Sequence, residues 1–563
     1  MHRIVRILMK SIKWIFMVLA TVLLMAAGYS VVLYCSADDM QPEDQVDLSA
    51  YVLSTDTDSL KVCGENSLHL NEHGLWEARL TGTSLVRGVS FGVMARDLLH
   101  FQESAFVDQI KVLVPSDSYL RFLRAILKIF NRNMASYVPE EFRKEIYGIS
   151  LSCSHEFDLF GTPYERQLNY HGAHDIGHMM QEYMLVGCSS FAAWEDMSED
   201  NELIIGRNFD FWVGDDFARN RMLLFVTPDQ GYKYASVSWP GMTGVVSGMN
   251  EKGLTVTINA SKGAIPTSSA LPISLLAKQI LLYAENIDEA FEIASQHSLF
   301  VSESLLIGSA EDGRAAIIEK TPEKLALFDP HGTSVICTNH FQSDIYKDDV
   351  FNVRNIEESD SKYRFDRLRE LVDAASPVTP EKAAAILRDR AGKGGKDVGL
   401  ANEMTLNQSI AHHSVIFQPQ SLRMWVSTSP WQSGEMICYD LREIFDAQGA
   451  SAGCLCSSEL SIPADSAYIN EIYPRVLKYR EDVQQIRRAM KDAKELTEEF
   501  ISQFISNNPE YFETYIYVGD YFEEAGQPDQ AVKYWKMAAT KEFPYIGVKN
   551  ELETTKINKY DKR

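Results

Sequence analysis

Apolar and polar residues alternate along Leu60–Val93, in LWEARLTG and LVRGVSFGVM, with glycines between the runs. That period of two predicts strands joined by a tight turn. From Ser118 to Glu145 the spacing changes to three and four. Leu120, Phe122, Leu123, Ile126, Leu127 and Phe130 fall on one wide stripe, which predicts an amphipathic helix. Strand-like runs return between Ser189 and Cys337 as FAAW, ELIIGRNFDF, MLLFVT, YASVSWPG and GLTVTINA, each ended by Gly, Asn or Asp, and a helical stretch over Ile273–Ser295 interrupts them. Helical segments follow Ser361, and strands come back in HSVIFQP and LRMWVST. Strands in groups, with helices set between the groups, predict an α+β sandwich rather than a βαβ repeat.

Beyond about Ala467 the chain turns to charged helix. Tyr515, Val518, Gly519, Phe522, Ala531, Trp535 and Ala538 fall at the spacing of a tetratricopeptide helix pair. A stable solenoid needs about three repeats, so residues 463–563 read as a helical cap docked on the main domain. A protein partner, if one binds, would bind at this TPR-like tail. At the other end, Trp14–Cys35 carries no charge over 22 positions, enough to cross a hydrocarbon layer of roughly 30 Å. Arg3, Arg6, Lys10 and Lys13 precede it, and Asp38, Asp39, Glu43, Asp44 and Asp47 follow. The expectation is a signal-anchor over residues 1–35 that holds the protein to the membrane through residues 14–35, with everything after Cys35 on the periplasmic or extracellular side. The alternative is a signal peptide cleaved after Ala26-Ala27-Gly28, leaving a secreted or periplasmic protein.

Composition narrows the function classes. At 563 residues, 45% hydrophobic and 23% charged, the chain has the balance of ordinary globular protein and the length of two to four folding units. Its 54 Lys+Arg against 78 Asp+Glu give a net charge of −24, which repels a nucleic-acid backbone and disfavours DNA or RNA as partner. The eight cysteines show neither a dense disulfide framework nor paired C-x-x-C knuckles.

The most informative stretch is Leu185–Trp212, LVGCSSFAAWEDMSEDNELIIGRNFDFW. A small residue and Cys before a strand, followed about twenty residues on by G-R-N-x-D-F, resembles the start of the mature chain in the N-terminal-nucleophile (Ntn) hydrolases. Within them the chain resembles the peptidase C45 family, which includes the acyl-CoA:6-aminopenicillanic-acid acyltransferases, and it is more distantly similar to choloylglycine hydrolases and acid ceramidase-like amidases. The resemblance runs from about Leu75 to about Leu441. It implies a four-layer αββα sandwich, with 36–187 as propeptide or N-terminal chain and 188–462 as the catalytic chain.

The residue chemistry agrees with this on its own terms. A free thiol of pKa about 8.5 needs a base and a positive neighbour to attack at neutral pH. Cutting Gly187–Cys188 would give Cys188 an α-amine of pKa about 7.7 to 8, so that one residue supplies nucleophile and base. The resemblance carries further positions. Arg207 and Asp210 match an R-x-x-D in which the Arg lies near the thiol and the Asp holds the nucleophile's amine. Asn259 and Asn339 match oxyanion-stabilising asparagines, and Arg364 in SKYRFDRL matches a second arginine. Residues at i and i+3 on a strand face opposite ways, so Arg207 and Asp210 both reaching the site predicts a bend there.

Blander readings stand beside each of these. A lone buried Cys is usually inert packing, and only the order GCSS, GRNFDF, GLTVTIN, TNHF argues otherwise. Asn259 and Asn339 could be turn residues, and Arg364 a surface ion pair with Arg367 and Arg369 close by. His171, His174 and His178 in HGAHDIGH have a zinc-like spacing but lack the Glu of H-E-x-x-H, and packing is preferred; the Gly-rich AGKGGKD at 391–397 lacks phosphate-loop spacing. No metal or organic cofactor is called for. The expected function is a self-processing hydrolase that cleaves the amide bond of a small N-acylated substrate through acyl-Cys188, its two processed chains held together. The rivals are an acyltransferase of the same family, with an amine resolving the thioester, and a non-catalytic surface scaffold that uses the tail.

Overall fold

In MLLFVTP, Met222, Leu224 and Val226 point to one side and Leu223 and Phe225 to the other, and all five are buried. A strand with two buried faces must lie inside a layered core. Met222, Leu224 and Val226 pack with Phe91, Ile146, Leu276 and Ile280 from helices. Leu223 and Phe225 pack instead with Ile205, Val415 and Phe417 from other strands. A third cluster joins the far face of those strands, through Phe191, Ile204 and Ile416, to Leu368, Val372 and Ile386 of another pair of helices. The layers therefore run helix, sheet, sheet, helix.

The computed structural model describes residues 27–114, 116–173, 175, 185–266, 268–447 and 453–561, together with Met17, 21–22 and 24–25. Its strands are β1 Leu53–Asp56, β2 Leu60–Cys63, β3 Asn66–Leu70, β4 Trp76–Gly82, β5 Leu185–Ala193, β6 Ile204–Trp212, β7 Met222–Pro228, β8 Tyr234–Ser238, β9 Ser247–Asn250, β10 Leu254–Ser261, β11 Ser302–Ser309, β12 Arg314–Lys320, β13 Leu325–Phe328, β14 Ser334–Cys337, β15 Ala411–Gln418, β16 Arg423–Ser427 and β17 Met436–Asp440. One sheet has the order β1-β2-β3-β4-β7-β8-β9-β10-β11-β12-β13, the other β14-β5-β6-β15-β16-β17. The segment before Cys188 is part of this frame. It supplies β1 to β4, the last of them paired in parallel with β7 from Trp76↔Met222 to Gly82↔Pro228. It also supplies the helices Ser84–Met94 and Glu140–Ser150 on the outer face. Glu145 on the second of these is ion-paired at 2.7 Å with Lys278 of the helix Ile273–Tyr283 and at 3.2 Å with Arg87, all three side chains buried.

Three expectations need correction. The membrane-spanning helix over 14–35 is not found: among the described residues no helix is long and apolar enough to cross a membrane. Residues 14–16, 18–20, 23 and 26 lie outside the described residues. LVRGVSFGVM is helical, not extended: Thr83 Oγ1 accepts from Val86 N at 3.4 Å to open the helix Ser84–Met94. Its glycines mark a close helix crossing rather than a turn, because a Cβ at Gly88 would sit 2.1 Å from Glu145 O and one at Gly148 would sit 2.6 Å from Val89 N. The stripe of the helix Asp117–Phe130 is only partly used, with Leu120 buried while Phe122 and Ile126 stay exposed.

The tail forms the expected helix pair, Phe512–Glu524 and Pro528–Ala538, closed by Trp535 on Gly519. It docks on the loop 399–409. Asn508 exchanges hydrogen bonds with Leu400 N and O at 2.8 and 3.1 Å, Tyr511 donates to Glu403 at 2.7 Å, and Arg480 donates to Ser409 O at 2.8 Å. Gly399 sits at φ +91°, and a Cβ there would meet Asn508 Oδ1 at 2.6 Å. Gly399→Ala is therefore expected to weaken docking by about 1–3 kcal/mol. Hydrogen exchange in 463–563 should rise while the sheets keep their protection.

Candidate active site

β5 and β6 pair without interruption from Leu185↔Trp212 to Ala193↔Ile204, which sets Gly187 opposite Asp210, Cys188 opposite Phe209 and Ser190 opposite Arg207. The predicted bend is absent from this pairing. Arg207 and Asp210 do face opposite ways, as the period requires, and they flank the junction from its two sides. The irregularity falls on the neighbouring strand, where the β15 register shifts between Ala411 and His413.

On the face turned to the larger sheet, Arg207 Nη2 lies 3.5 Å from Cys188 Sγ. The guanidinium is held by Val246 O at 2.9 Å and by short bonds to Ser247 Oγ and Ile258 O, and it covers the Phe209 ring at 4.4 Å. Ser247 in turn contacts His413 Nε2 at 2.8 Å. Burial raises the Cys188 thiol pKa, and Arg207 works against that rise. The arginine thus offsets the cost of ionising a sulfur that has no exposed surface.

On the opposite face the junction is gripped by Arg364 and Asn339. Arg364 Nη1 donates to Cys188 O at 2.8 Å and Ser189 Oγ at 2.9 Å, Nη2 donates to Asn339 Oδ1 at 2.7 Å, and Nε donates to Asp360 at 2.9 Å. Asn339 Oδ1 also accepts from Cys188 N at 3.1 Å. Arg364 is fully buried, not a surface ion pair. Asp210 is buried too, and neither of its oxygens has a hydrogen-bond partner among the described residues. Burial pushes its pKa up to about 7 against the pull of Arg364 and Arg207.

The asparagines differ from expectation. Asn259 Nδ2 donates to Cys337 O at 3.1 Å and Thr338 O at 3.2 Å, and its Oδ1 accepts from Ser190 Oγ at 3.0 Å. Asn339 Nδ2 donates to Ala260 O at 2.8 Å. In this uncut chain both amide donors are committed to backbone carbonyls, so neither is free for an oxyanion. Asn259 ties β10 to the end of β14, and Asn339 positions the Cys188 nitrogen. Asn259→Ala would remove the donor to two buried carbonyls and the acceptor of a buried serine, at about 1–3 kcal/mol. The expected result is a lower melting temperature along with lower activity; unchanged stability with lower turnover alone would restore the oxyanion role.

Sequence reading missed Asp360, Ser189 and Ser247, which bond the two arginines, and His413, which bonds Ser247. Only the unusual buried pair His412-His413 inside an apolar strand carried a signal. His171 is a packing residue, accepting from Thr243 N at 3.1 Å with Nδ1 2.7 Å from Gln167 O. Burial lowers its pKa to about 4. His174 and His178 lie outside the described residues.

Residues 197–429 match the family Acyl-coenzyme A:6-aminopenicillanic acid acyl-transferase, which shows the family resemblance over that segment. The match includes Arg207, Asp210, Asn259, Asn339 and Arg364 and begins after Cys188. An uncharacterized protein of Archaeoglobus fulgidus is 22% identical over 410 residues, 65% of this chain; the alignment spans 66% of that relative, just under two thirds. Among solved structures, an N-acylethanolamine-hydrolyzing acid amidase ortholog of Caenorhabditis elegans is 14% identical over 41% of this chain and 93% of its own, at a TM-score of 0.31. A mutant conjugated bile acid hydrolase from Clostridium perfringens is 14% identical over 46% and 93%, at 0.32. A penicillin V acylase from Agrobacterium tumefaciens is 16% identical over 45% and 92%, at 0.28. By name, the family and these three structures are enzymes; superpositions this loose add no argument of their own.

Proposed function

We propose that the chain is a self-processing hydrolase of the N-terminal-nucleophile type, cutting itself between Gly187 and Cys188 and then cleaving the amide bond of a small N-acylated substrate. One observation supports this above the others: Asp210 is a buried carboxylate without a hydrogen bond among the described residues, placed cross-strand from the residue that the cut would release. An orphaned buried carboxylate is costly in a finished structure. Here the cut would supply its partner: the Cys188 nitrogen, released from the Gly187 carbonyl carbon, becomes an ammonium beside the residue that pairs with Asp210.

In the first step the Cys188 sulfur attacks the Gly187 carbonyl, the peptide C–N bond breaks, and the nitrogen takes up the proton lost by the thiol. Water then hydrolyses the Gly187 thioester, leaving a carboxyl end at Gly187 and a free thiol and amine on Cys188. In turnover that amine removes the thiol proton, the sulfur adds to the substrate carbonyl, and the protonated nitrogen of the substrate departs as an amine. Water resolves the acyl-Cys188. Arg207 stays beside the sulfur throughout, while Arg364 and Asn339 hold the amine and carbonyl of residue 188 in register. The matched family's name favours a second reading, in which an amine rather than water takes the acyl group.

The test is a screen of N-acyl amino acids, N-acylethanolamines, bile-acid conjugates and acylated β-lactams against fully processed protein, with mass detection of the freed amine. Release of amine with water as acceptor is expected. Formation of a new amide on adding a second amine would select the transferase. Cleavage of none of them, with Cys188 no more reactive than a free cysteine, would end the amidase reading.

A further inference from the structure

A small cavity of about 30 Å³ lies between the N-terminal segment and the end of β6, walled by Phe106, Phe211, Phe217 and Trp239, with Gln102 and Glu103 on one side. The aromatic rings stand close around it. Phe211 and Trp239 lie parallel at 6.3 Å, and Phe217 stands against them at 5.8 and 5.4 Å. Phe106 closes on Phe217 at 6.2 Å. Two acceptor atoms of the wall, Glu103 Oε2 and Gln102 Oε1, have no hydrogen-bond partner among the described residues, and both side chains are at least nine-tenths buried.

Glu103 is bonded through one of its oxygens only. Its Oε1 accepts from Arg166 Nε at 2.8 Å and from Tyr170 OH at 3.1 Å. The same guanidinium serves a second carboxylate, Asp158, at 2.8 Å. Arg166 is divided between the two carboxylates, Asp158 having His155 Nδ1 at 2.9 Å as a further partner, and Glu103 Oε2 is left without a donor among the described residues. Asp158 can turn to water, being about half exposed, while Glu103 turns to the aromatic cavity. His412, against Trp239 at 5.2 Å, adds no positive charge, since burial lowers its pKa to about 3.

Aromatic faces and unpaired acceptor oxygens, one of them on a carboxyl group, around a small space are the chemistry that holds an ammonium group. We infer that this cavity is a cage for a cationic nitrogen carried by the substrate. The placement follows from β6. Phe209 faces Cys188 across the β5–β6 pair, and Phe211 is the next residue on the same face, about 7 Å further along. Phe209, itself under the Arg207 guanidinium, is stacked on Phe211 at 5.5 Å, so adjoining rings connect the surroundings of the nucleophile to the cage. Resting on the amidase reading above, the inference assigns the enzyme to amides whose acyl or amine part bears an ammonium. The two chains share the cage: Gln102, Glu103 and Phe106 come from before the cut, Phe211, Phe217 and Trp239 from after it.

The probe is n-butylammonium at neutral pH, with 1-butanol as neutral comparator, titrated calorimetrically into the purified full chain. Binding of the cation at least tenfold tighter than the alcohol is expected, and Glu103→Gln should remove that preference. Because Glu103 also pairs with buried Arg166, Phe106→Leu serves as a second variant; it keeps much of the apolar bulk, removes one ring face and should weaken the cation severalfold while leaving the alcohol unchanged. Saturating butylammonium should also slow alkylation of Cys188 by iodoacetamide. Equal binding of cation and alcohol, a charge preference that survives in both variants, or binding that leaves Cys188 unshielded would overturn the assignment. A protein that is cut and cleaves amides without any charge preference disproves the cage alone. A protein that binds butylammonium with that preference but is never cut keeps the cage and loses the hydrolase.

Discussion

Cys188→Ala is expected to yield a single uncut chain with no amide turnover, while the wild-type protein runs as two chains, one ending at Gly187 and one beginning at Cys188. The size of the effect follows from the role. A residue that is both the processing and the acyl-accepting nucleophile has no understudy, and removing a covalent nucleophile costs on the order of 10⁶ in rate. Intact mass of the purified protein reads the processing, and the amine-release assay reads the turnover. Cys188 is fully buried and its pKa is raised by that burial, so the substitution removes one sulfur from a closed core, and a melting curve close to wild type separates lost chemistry from lost folding. Two-chain material from Cys188→Ala would mean that another protease makes the cut and would remove self-processing from the proposed function.

The second large effect is on stability. Burial works against the charge of Glu145, but Lys278 and Arg87 more than offset it and hold the carboxyl at about 2. Glu145→Gln leaves two buried cations facing each other, an arrangement expected to cost about 3–5 kcal/mol. Glu145 stands before the cut and Lys278 after it, so in processed protein the variant should also let the two chains separate in mild denaturant, measured by size-exclusion chromatography. Acid should act on the wild type in the same direction. The folded pKa of Glu145 lies below its unfolded value of 4.5, so its contribution is complete above about pH 4.5 and is lost as the pH falls toward 2. A melting temperature for Glu145→Gln within a degree or two of wild type would show that the buried triad is not what joins the segments.

Much of this is legible in the sequence, and the misses have physical causes. FAAW, GRNFDF, MLLFVT, GLTVTINA and HSVIFQP read as strands because short apolar runs ended by Gly, Asn or Asp have few alternatives. LVRGVSFGVM misleads because its glycines fit two structures, and only the distant partner Gly148 decides for the helix. Trp14–Cys35 misleads because an uncharged run is necessary for a span without being sufficient. At the site, motif order places Cys188, Arg207, Asp210, Asn339 and Arg364 around one junction. It does not say which atoms of each asparagine are already committed, nor that Asp360, Ser247 and His413 orient the arginines, because those are facts of pairing between segments far apart in the chain.

The strand β5 carries the Gly187–Cys188 bond in its interior, with paired residues on both sides, and the segment before it contributes β1 to β4. Cutting there turns one folding problem into two. The uncut chain reaches its native state by unimolecular search, whereas the cut protein, once unfolded, must reassemble from two separate polypeptides at whatever concentration they are present. Processing would therefore act as a one-way step in the life of the molecule: refolding yield after denaturant should be independent of dilution before the cut and fall with dilution after it.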